Sequence, residues 1–372
     1  MPHHFGSILT CPQCKTALTE NPDTYTCSNG HDFPITQGVP QLYIRPMHWH
    51  ILSRDQMTRL LDIARTKHWK IALNDVLLAE TDQGQFDYAT SDKKASFIPF
   101  LPKPRYDRIL DAGCLWGNLT MELTKIGTEV YGIDTNAQTL EFAKVRAQQN
   151  GISHIRWVRV DPFEEANLPF ESGSFDLIVI SKVIQWIGNS RESGHHQKIQ
   201  HQFLQEVGRL LKPGGTLFML APNRFAMQFV YGANDYSGHP YTSLIPRWLA
   251  TFLMQRQPKI NRNQGTQWAD NSTVNRQEYA TYSYSKKGYE TLLRQTGFNV
   301  KKVIVPQPFY THYDHFEEIE KIDAVELPNP TIVPTSPSPF FRKILSLLTK
   351  LIRLTGNEAF WVSGFGFISE KK

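Results

Sequence analysis

Three cysteines and a histidine near the start of the chain have the types and the spacing of a metal site. Cys11 and Cys14 are separated by two residues, and Cys27 and His31 follow with three residues between them. Thiolates and an imidazole on two short knuckles can complete a tetrahedral Zn²⁺ shell. The alternatives are a redox pair, which lacks the surrounding βαβ pattern, and cysteines that are free by chance. We predict a zinc ribbon over residues 8–45, with a structural role because four protein ligands leave no open coordination position.

A second set of chemically suited residues surrounds a glycine turn in the middle of the chain. Asp111 and Gly113 end a short apolar stretch, Gly117 opens a run with helical spacing, and Asp134 ends the next apolar stretch. A carboxylate about 20 residues after such a turn suits a ribose hydroxyl pair. Gly113 lets a ligand lie against the backbone, and Asp111 suits a cationic amine. Because the turn has no phosphate-binding lysine and no GxGxxG pattern, these residues favour S-adenosylmethionine over a dinucleotide.

The elements that must position these residues alternate between strand and helix. Ile109 and Leu110 predict a strand, the run after Gly117 predicts a helix, and residues 130–134 predict a second strand. The further segments are helix 137–149, strand 155–160, strand 175–180, helix 201–211, strand 216–220, helix 285–295, strand 299–305 and strand 359–370. This alternation is typical of an α/β fold with a Rossmann-like parallel sheet.

Two phrases of the sequence carry a family resemblance. The turn at residues 111–117 and the phrase RLLKPGGTLFML at residues 209–220 resemble the class I S-adenosylmethionine-dependent methyltransferases. The resemblance covers roughly residues 105–305 and the last strand. It implies a seven-stranded α/β sheet whose last strand returns antiparallel beside the fifth and sixth. One departure is Leu115, which stands where the family usually has a glycine and whose Cβ would crowd the methionine tail of the cofactor.

The resemblance also assigns the adenine side of the cofactor. The family has an acidic residue at the end of the third strand that accepts the adenine amino group, and Asp161 matches this position. Pro162 and Phe163 would pack against the adenine ring. The cofactor site predicted in this way contains Asp111, Gly113, Gly117, Asp134, Asp161, Pro162 and Phe163.

Two partial resemblances point to different acceptors. The N-terminal ribbon is similar to that of the zinc-containing rRNA guanine-N1 methyltransferases, including the phrase Tyr25-Thr26-Cys27. The C-terminal half, in Asn223-Arg224-Phe225 and residues 242–248, resembles bacterial methyltransferases of surface-glycan and secondary-metabolite gene sets. The first resemblance implies RNA as the acceptor, and the second implies a small molecule or a glycan.

The residues that contact the acceptor are less clearly marked. Methyl transfer from a sulfonium mainly requires positioning of the acceptor, so no catalytic motif is expected and the catalytic residues stay undetermined. Lys182, Gln185 and Trp186 follow the fourth strand, where ligands of open α/β sheets lie. His239, in a long aromatic insertion, has a suitable pKa for a general base or is a turn residue. The other candidate acceptor contacts in this insertion are Asn223, Arg224, Asp235, Tyr241 and Arg247.

The chain divides into five predicted segments. They are the zinc ribbon 1–45, a helical linker or cap 46–104, the cofactor-binding core 105–225, an acceptor-covering insertion 226–284, and the completion of the sheet with an amphipathic helix 285–372. Residues 80–107 are polar and then rich in proline, which predicts a linker into the core. The basic amphipathic helix at residues 340–354 would dock on the protein or lie on an anionic membrane surface.

Composition places the chain among soluble globular proteins. It has 372 residues and a net charge of +5, which permits a nucleic-acid partner without requiring one. No apolar run of about 18 residues is present, so no transmembrane helix is expected. The cysteine pattern favours metal binding over disulfides and therefore a reducing cytoplasm.

Three hypotheses for the function follow from these features. The first is an S-adenosylmethionine-dependent methyltransferase that modifies an oxygen or nitrogen of a small molecule, a glycan or a secondary-metabolite precursor. The second is an rRNA or tRNA methyltransferase in which the ribbon and the basic surface bind phosphates. The third is a degenerate methyltransferase fold that acts as a binding scaffold, which is suggested by Leu115 in the glycine turn.

Overall fold

Four short strands form an antiparallel sheet at the start of the structure, a computed structural model. It describes residues 8–43, 50–160, 167–188, 196–235, 240–256, 281–322 and 361–372. In order across this first sheet, the strands are β1 Leu18–Glu20, β2 Thr24–Cys27, β3 Asp32–Thr36 and β4 Val39–Pro40. We refer to residues 8–43 as the N-terminal unit.

Helices follow the N-terminal unit, as the apolar spacing of residues 53–79 predicts. They are α1 Arg54–Thr66, α2 Trp69–Ala72, which continues as a π-helical turn over Leu73–Leu78, and α3 Gln83–Thr90. Ser53 and Gln56 form a capping box, in which each side chain bonds the backbone of the other residue. The capping box fixes the start of α1 because it satisfies two backbone donors that the helix leaves without partners.

The prediction of a linker at residues 80–107 is wrong for the first part of this range. Helix α3 occupies this part, and Asp82 caps it by accepting from the backbone of Gln85. The helix was missed because it is short and polar, and Ala89 is its one fully buried residue. Further along, Phe97 is fully buried and stacks on Phe218 with ring centroids 3.7 Å apart. This stacking ties the segment to the large sheet.

An eight-stranded mixed sheet forms the centre of the molecule. Its strands are β5 Tyr106–Ala112, β6 Gly127–Asp134, β7 Ile155–Arg159, β8 Phe175–Ser181, β9 Leu211–Pro222, β10 Phe298–Pro308, β11 Tyr313–Glu318 and β12 Gly364–Lys371. The helices between them are α4 Asn118–Leu123, α5 Ala137–Gln149, α6 His196–Leu210, α7 Met227–Val230, α8 Arg247–Arg256 and α9 Lys286–Gln295. The predicted α/β class is confirmed, with alternating elements from β5 to β9.

The strand order is β11-β10-β12-β9-β8-β5-β6-β7. Strands β5 to β9 run parallel, and β12 returns antiparallel between β9 and β10, as predicted for the last strand. The predicted number of seven strands is wrong, because β11 adds an eighth strand beside β10. Only Tyr313 and Phe316 of β11 are buried. Their spacing of three residues hides the alternation that identifies a strand.

The two faces of the parallel strands carry separate halves of the core. Leu110 of β5 and Ile178 of β8 face one cluster, while Ile109 and Leu177 face the other. This is the alternation of side chains along a strand, and both faces are apolar because helices or other segments cover each of them. The carboxyl ends of β5, β6 and β8 therefore lie at one edge, where Asp111, Asp134 and Lys182 are placed.

The N-terminal unit packs against β7 and the loop before β8. Leu9 bridges to Phe170, and Gln41 forms a parallel bridge to Arg159 at the end of β7. The backbone of Leu42 donates to the Arg159 carbonyl at 3.0 Å. The apolar residues of the unit that are buried in the main core cluster are Ile8, Leu9, Cys11, Leu18, Tyr25, Cys27, Phe33 and Leu42. The unit thus covers a sheet edge whose backbone groups would otherwise be open to pairing.

The insertion after β9 contributes α7, α8 and the loops between them. Within the described ranges, every helix falls short of the length and apolar character that a membrane crossing requires. The amphipathic helix predicted at residues 340–354 lies outside the described residues.

Candidate functional site

Asp111 ends β5 inside the protein, with 1% of its surface exposed. The Thr120 hydroxyl donates to its Oδ2 at 2.7 Å. Burial raises the pKa of Asp111 to about 7, and the bond from Thr120 and the charge of Lys94 oppose this rise. A buried carboxylate is stabilised in its charged form by a nearby cation. Its surroundings therefore fit the predicted role of holding an ammonium group.

The two glycines of the turn are required by packing within the protein. Gly113 has φ +86°, and a Cβ there would overlap Cγ2 of Val183 in the loop after β8. Gly117 has φ +72°, and its Cβ would lie 2.8 Å from Cβ of Ala143 and 2.9 Å from the Trp157 ring. Both positions lie in the left-handed region that glycine adopts without strain. The glycine at position 117 is thus explained by close contact of α4 with α5 and β7.

Asp134 ends β6 and holds the glycine turn from the other side. Its Oδ2 accepts from the backbone of Leu115 at 3.0 Å, and its Oδ1 accepts from the backbone of Asn136 at 3.0 Å. Burial raises its pKa, while these backbone donors oppose the rise. Burial, followed by the charges of Asp111 and Asp134, raises the pKa of Tyr88. The Tyr88 phenol thus lies near both acids.

Leu115 and Trp116 point away from this region. Leu115 has φ +44° and packs against the apolar cluster of the α1 and α2 helices. Trp116, with 1% of its surface exposed, lies edge-on to the rings of His50 and Phe142, with centroids 4.7 Å and 5.4 Å away. The Leu115 side chain thus anchors the helical segment to the turn, and crowding of the methionine tail by its Cβ stays a prediction.

Four of the predicted site residues lie outside the described residues. They are Asp161, Pro162, Phe163 and His239. Their assignments to the adenine ring and to proton transfer stay predictions.

A cavity of about 470 Å³ lies beside the two acids, at the carboxyl end of the sheet. Its walls come from α3 and the turn after it, from the end of β8, and from the loop between β10 and β11. The lining residues are Asp87, Tyr88, Thr90, Ser91, Lys94, Lys182, Pro308, Phe309, Thr311, His312, Tyr313 and Asp314. Tyr88 belongs both to this lining and to the surroundings of Asp111 and Asp134. The cavity volume is within the range of small-molecule sites.

Lys182 is the one catalytic candidate from the sequence that lines this cavity. Its Nζ donates to the Thr311 carbonyl at 3.0 Å. The ring centroids of Tyr88, Tyr310 and Tyr313 lie 4.9, 5.2 and 4.8 Å from Nζ. Burial lowers the pKa of Lys182 to about 7. The residue also has φ +62°, a strained conformation for lysine that is typical of functional sites.

Lys94 was not predicted and lies between the cavity and the glycine turn. Its Nζ donates to Asn118 Oδ1 at 3.2 Å and lies 3.3 Å from the centroid of the Tyr88 ring. Burial, and then the charges of Lys182 and Arg146, keep its pKa well below its ordinary value. Lys94 and Tyr88 lie in the segment whose composition predicts a linker, so no sequence pattern marks them as site residues.

Gln185 supports the loop after β8 through hydrogen bonds to neighbouring segments. It is 1% exposed, its Nε2 donates to the Lys182 carbonyl at 2.9 Å, and its own carbonyl accepts from Tyr282. Gln185 therefore holds the loop that presents Lys182 and does not line the cavity. Trp186 is also absent from the described lining of this cavity.

The candidate acceptor contacts of the insertion bond within the insertion and to its neighbours. Arg224 donates to the carbonyls of Ser243 and Ile245, both at 2.7 Å. Asn223 donates to the Val362 carbonyl, and Asp235 accepts from the Thr242 hydroxyl. Arg224 and Arg247 line a separate pocket of about 30 Å³, which is too small for a substrate. Tyr241 is 37% exposed and does not line the large cavity either.

The four predicted metal ligands converge in the N-terminal unit. Their ligand atoms all lie within 4.8 Å of one another. Cys14 Sγ and Cys27 Sγ are 3.6 Å apart, and His31 Nδ1 is 3.5 Å from Cys11 Sγ and 3.3 Å from Cys27 Sγ. Tetrahedral Zn²⁺, with bonds of about 2.3 Å to sulfur and about 2.0 Å to nitrogen, requires separations of about 3.5 to 3.8 Å. The donor set suits this ion, and the three distances just given lie near this range.

Comparisons with known proteins agree on the central part of the chain. The family model described as "Methyltransferase domain" matches residues 110–219. The ubiquinone biosynthesis O-methyltransferase of Nitrosococcus oceani is 31% identical over 125 residues, which are 33% of this chain and 47% of that protein. The malonyl-[acyl-carrier protein] O-methyltransferase of Enterobacter lignolyticus is 32% identical over 120 residues, 32% of this chain and 39% of that protein. The chain thus spans less than half the length of either relative.

Among solved structures, an S-adenosylmethionine-dependent methyltransferase from Methanosarcina mazei aligns with 74% of this chain and 96% of its own. The TM-score is 0.43 and the sequence identity is 17%. The family match spans β5 to β9, the segment that carries Asp111, Asp134 and Lys182. Residues 110–219 of this chain therefore form a methyltransferase domain.

Proposed function

We propose that the protein transfers a methyl group from S-adenosylmethionine to an oxygen atom of a small molecule held in the cavity beside Lys182. The observation that carries this proposal is the shared position of Tyr88. Its ring forms part of the cavity wall, and its phenol lies within the electrostatic influence of Asp111 and Asp134. A cofactor held by the two acids would thus be adjacent to an acceptor in the cavity.

The residues present fit the cofactor. Asp111 would hold its ammonium group, because a cation relieves the cost of the buried carboxylate. Asp134, already oriented by two backbone donors, would accept from the ribose hydroxyls. S-adenosylmethionine, when bound, supplies an activated methyl group on a sulfonium. What the protein has to add is mainly the orientation of the acceptor and the exclusion of water.

Two features support an oxygen of a small molecule as the acceptor. The cavity is bounded on three sides by α3, the end of β8 and the β10–β11 loop, and its volume of about 470 Å³ suits a small ligand. The relatives cited above are by name O-methyltransferases. The ribbon resemblance implies RNA as the acceptor instead, and the assay below distinguishes RNA from a small molecule.

We propose further that Cys11, Cys14, Cys27 and His31 hold a structural Zn²⁺. Four ligands complete the shell, so no position is left for a substrate or an activated water. The ion would stabilise the N-terminal unit, whose described residues are too few to bury a sufficient core alone.

A transfer assay tests the proposed activity. The protein is incubated with S-adenosylmethionine labelled in the methyl group and, in separate reactions, with total RNA and with an extract of small metabolites. We expect label in the small-molecule fraction, no label with Asp134→Asn, and wild-type labelling with Asp62→Asn, a substitution at an exposed carboxylate. Label confined to RNA, or no label in either pool, would overturn the proposal.

A further inference from the structure

We propose that the acceptor is a small acid whose anionic oxygen, a carboxylate or a phenolate, is bound by the ammonium group of Lys182. This inference rests on the proposed function and adds the chemical class of the substrate. It follows from the partners of Lys182, from the charge of the cavity interior and from the composition of its walls.

The partners of Lys182 are neutral. Its ammonium donates to one backbone carbonyl, that of Thr311, and faces the rings of three tyrosines. Such rings attract a cation through their quadrupoles, with a free energy of about 0.5 to 2 kcal/mol. Among the residues that the structure describes, no carboxylate forms an ion pair with Lys182. This half-buried ammonium, with neutral partners alone, is left without the counter-charge that charges withdrawn from water usually have.

Among the described charged residues that line the cavity, the two lysines are less exposed than the acids. Lys94 lies over the Tyr88 ring and donates to Asn118, and its charge and that of Lys182 repel each other. The acids Asp87 and Asp314 also line the cavity, but both are exposed at its rim. His312, at the same rim, is exposed as well and has its Nε2 3.4 Å from the Gly84 carbonyl. An anionic ligand in the cavity would therefore find its complement at Lys182.

The walls of the cavity favour a flat or apolar body. Tyr88, Phe309 and Tyr313 present aromatic rings, and Pro308 adds an apolar surface. Aromatic walls stack well on planar rings and unsaturated chains. A small aromatic or unsaturated acid matches these walls and the cavity volume better than a sugar, whose many hydroxyls would require more polar partners.

The reaction balances without a further reagent. The anionic oxygen of the acceptor forms a bond to the methyl carbon as the bond from that carbon to sulfur breaks. The electron pair of the broken bond stays on sulfur, so the products are a methyl ester or ether and a neutral thioether. A carboxylate arrives already ionised, whereas a phenol first loses its proton to water, a step that the nearby ammonium favours.

This role predicts how Lys182 affects the kinetics. The acceptor loses its negative charge in the transition state, so the ammonium binds the ground state at least as strongly. Loss of the ammonium should thus raise KM for a carboxylate by tenfold or more and change kcat little. Because the pKa of Lys182 is about 7 in the open cavity, binding of an anion above pH 7 should also be accompanied by proton uptake.

Calorimetry on the complex with the product S-adenosylhomocysteine tests the inference without any turnover. The probes are benzoate, 4-nitrophenolate and the neutral amide benzamide. We expect one of the anions to bind at least tenfold more tightly than benzamide, and which of them does so distinguishes a carboxylate site from a phenolate site. The preference should be lost in Lys182→Met, retained in Lys182→Arg, and unchanged in Lys125→Met, a substitution at an exposed lysine.

A second measurement needs no variant and so does not depend on the folding of Lys182→Met. The binding enthalpy of the tighter anion is measured at pH 8 in buffers of different ionisation enthalpy, and we expect an uptake approaching one proton. Equal binding of benzamide, no binding of any probe, or no proton uptake would overturn the inference. Failure of the proposed function is recognised separately, by the absence of any S-adenosylhomocysteine binding or of any methyl transfer.

Discussion

At the scale of single residues, the site depends on charged groups that the fold withdraws partly or fully from water. Asp111, Asp134 and Lys182 lie at adjacent strand ends, and burial shifts the pKa of each toward its neutral form. Each of these groups becomes more favourable when a ligand of opposite charge arrives. Perturbed groups of this kind gather at functional sites, and the proposed cationic cofactor and anionic acceptor would supply their counter-charges.

The effect of Asp111 on stability should depend on pH. Its pKa is about 7 in the folded protein and 3.8 in the unfolded chain, so the folded state binds more protons between these values. Stability therefore falls as the pH rises from about 4 to about 7. Asp111→Asn lacks this dependence, so its stability relative to wild type should increase by roughly 2 to 4 kcal/mol between pH 4 and pH 8.

Denaturant unfolding at pH 4 and pH 8 measures this difference for Asp111→Asn. Asp62→Asn, at a side chain that is 62% exposed, serves as the control and should show a flat difference. A difference for Asp111→Asn that does not change with pH would mean that the buried carboxylate is stabilised by a partner that the structure does not reveal. The same variant should bind S-adenosylmethionine at least tenfold more weakly at pH 8.

Leu115→Gly tests whether the departure from the family pattern affects cofactor binding. The Leu115 side chain packs on the cluster of α1 and α2, so its removal should leave the affinity for S-adenosylmethionine within about threefold of wild type. Stability should change by about 1 to 2 kcal/mol, because lost packing and relieved backbone strain at φ +44° oppose each other. An increase in affinity of tenfold or more would show that Leu115 does obstruct the cofactor.

At the scale of elements, local patterns identified the strands and helices that have strong periodicity. The bounds of α5 and the end of α9 at Gln295 agree with the sequence prediction. Helix α3 and strand β11 were missed because each buries few residues and has no regular spacing. These two elements line the cavity, so the acceptor site was the least predictable part of the molecule. Its residues meet through long-range packing of segments that each look like a loop.

Removal of zinc should affect more than the N-terminal unit. The unit buries eight apolar residues in the main core cluster and bridges to Arg159 at the end of β7. Chelation by a strong zinc chelator should therefore lower the melting temperature of the whole protein by several degrees. It should also weaken S-adenosylmethionine binding, since β7 pairs with β6, which carries Asp134.

Cys14→Ser should reproduce the effect of chelation, whereas Cys114→Ser, at a buried cysteine of another cluster, should retain zinc. Zinc content by atomic absorption and thermal unfolding provide the two readouts. A melting curve that does not change after complete removal of zinc would show that the four residues do not hold a structural ion.

At the scale of the whole molecule, the sheet order separates the cavity from the N-terminal unit, because different strands of the sheet carry them. The unit covers the β7 edge, while the cavity is lined from β8 and from the β10–β11 loop at the opposite side of the sheet. The fold class and the central acids could be predicted because they depend on local sequence around a glycine turn. The class of acceptor could not be predicted, because Tyr88, Lys182 and Tyr313 are spread over about 225 residues of chain. Only the folded sheet brings them together.

The central claim is that Asp111 and Asp134 form the cofactor site of a methyltransferase domain. Calorimetric titration of the protein with S-adenosylmethionine tests this claim most directly, with Asp134→Asn as the variant and Asp62→Asn as the control. We predict saturable binding of one equivalent with micromolar affinity in wild type and control, and at least tenfold weaker binding in Asp134→Asn. No binding to the wild type, or equal binding to all three proteins, would contradict it.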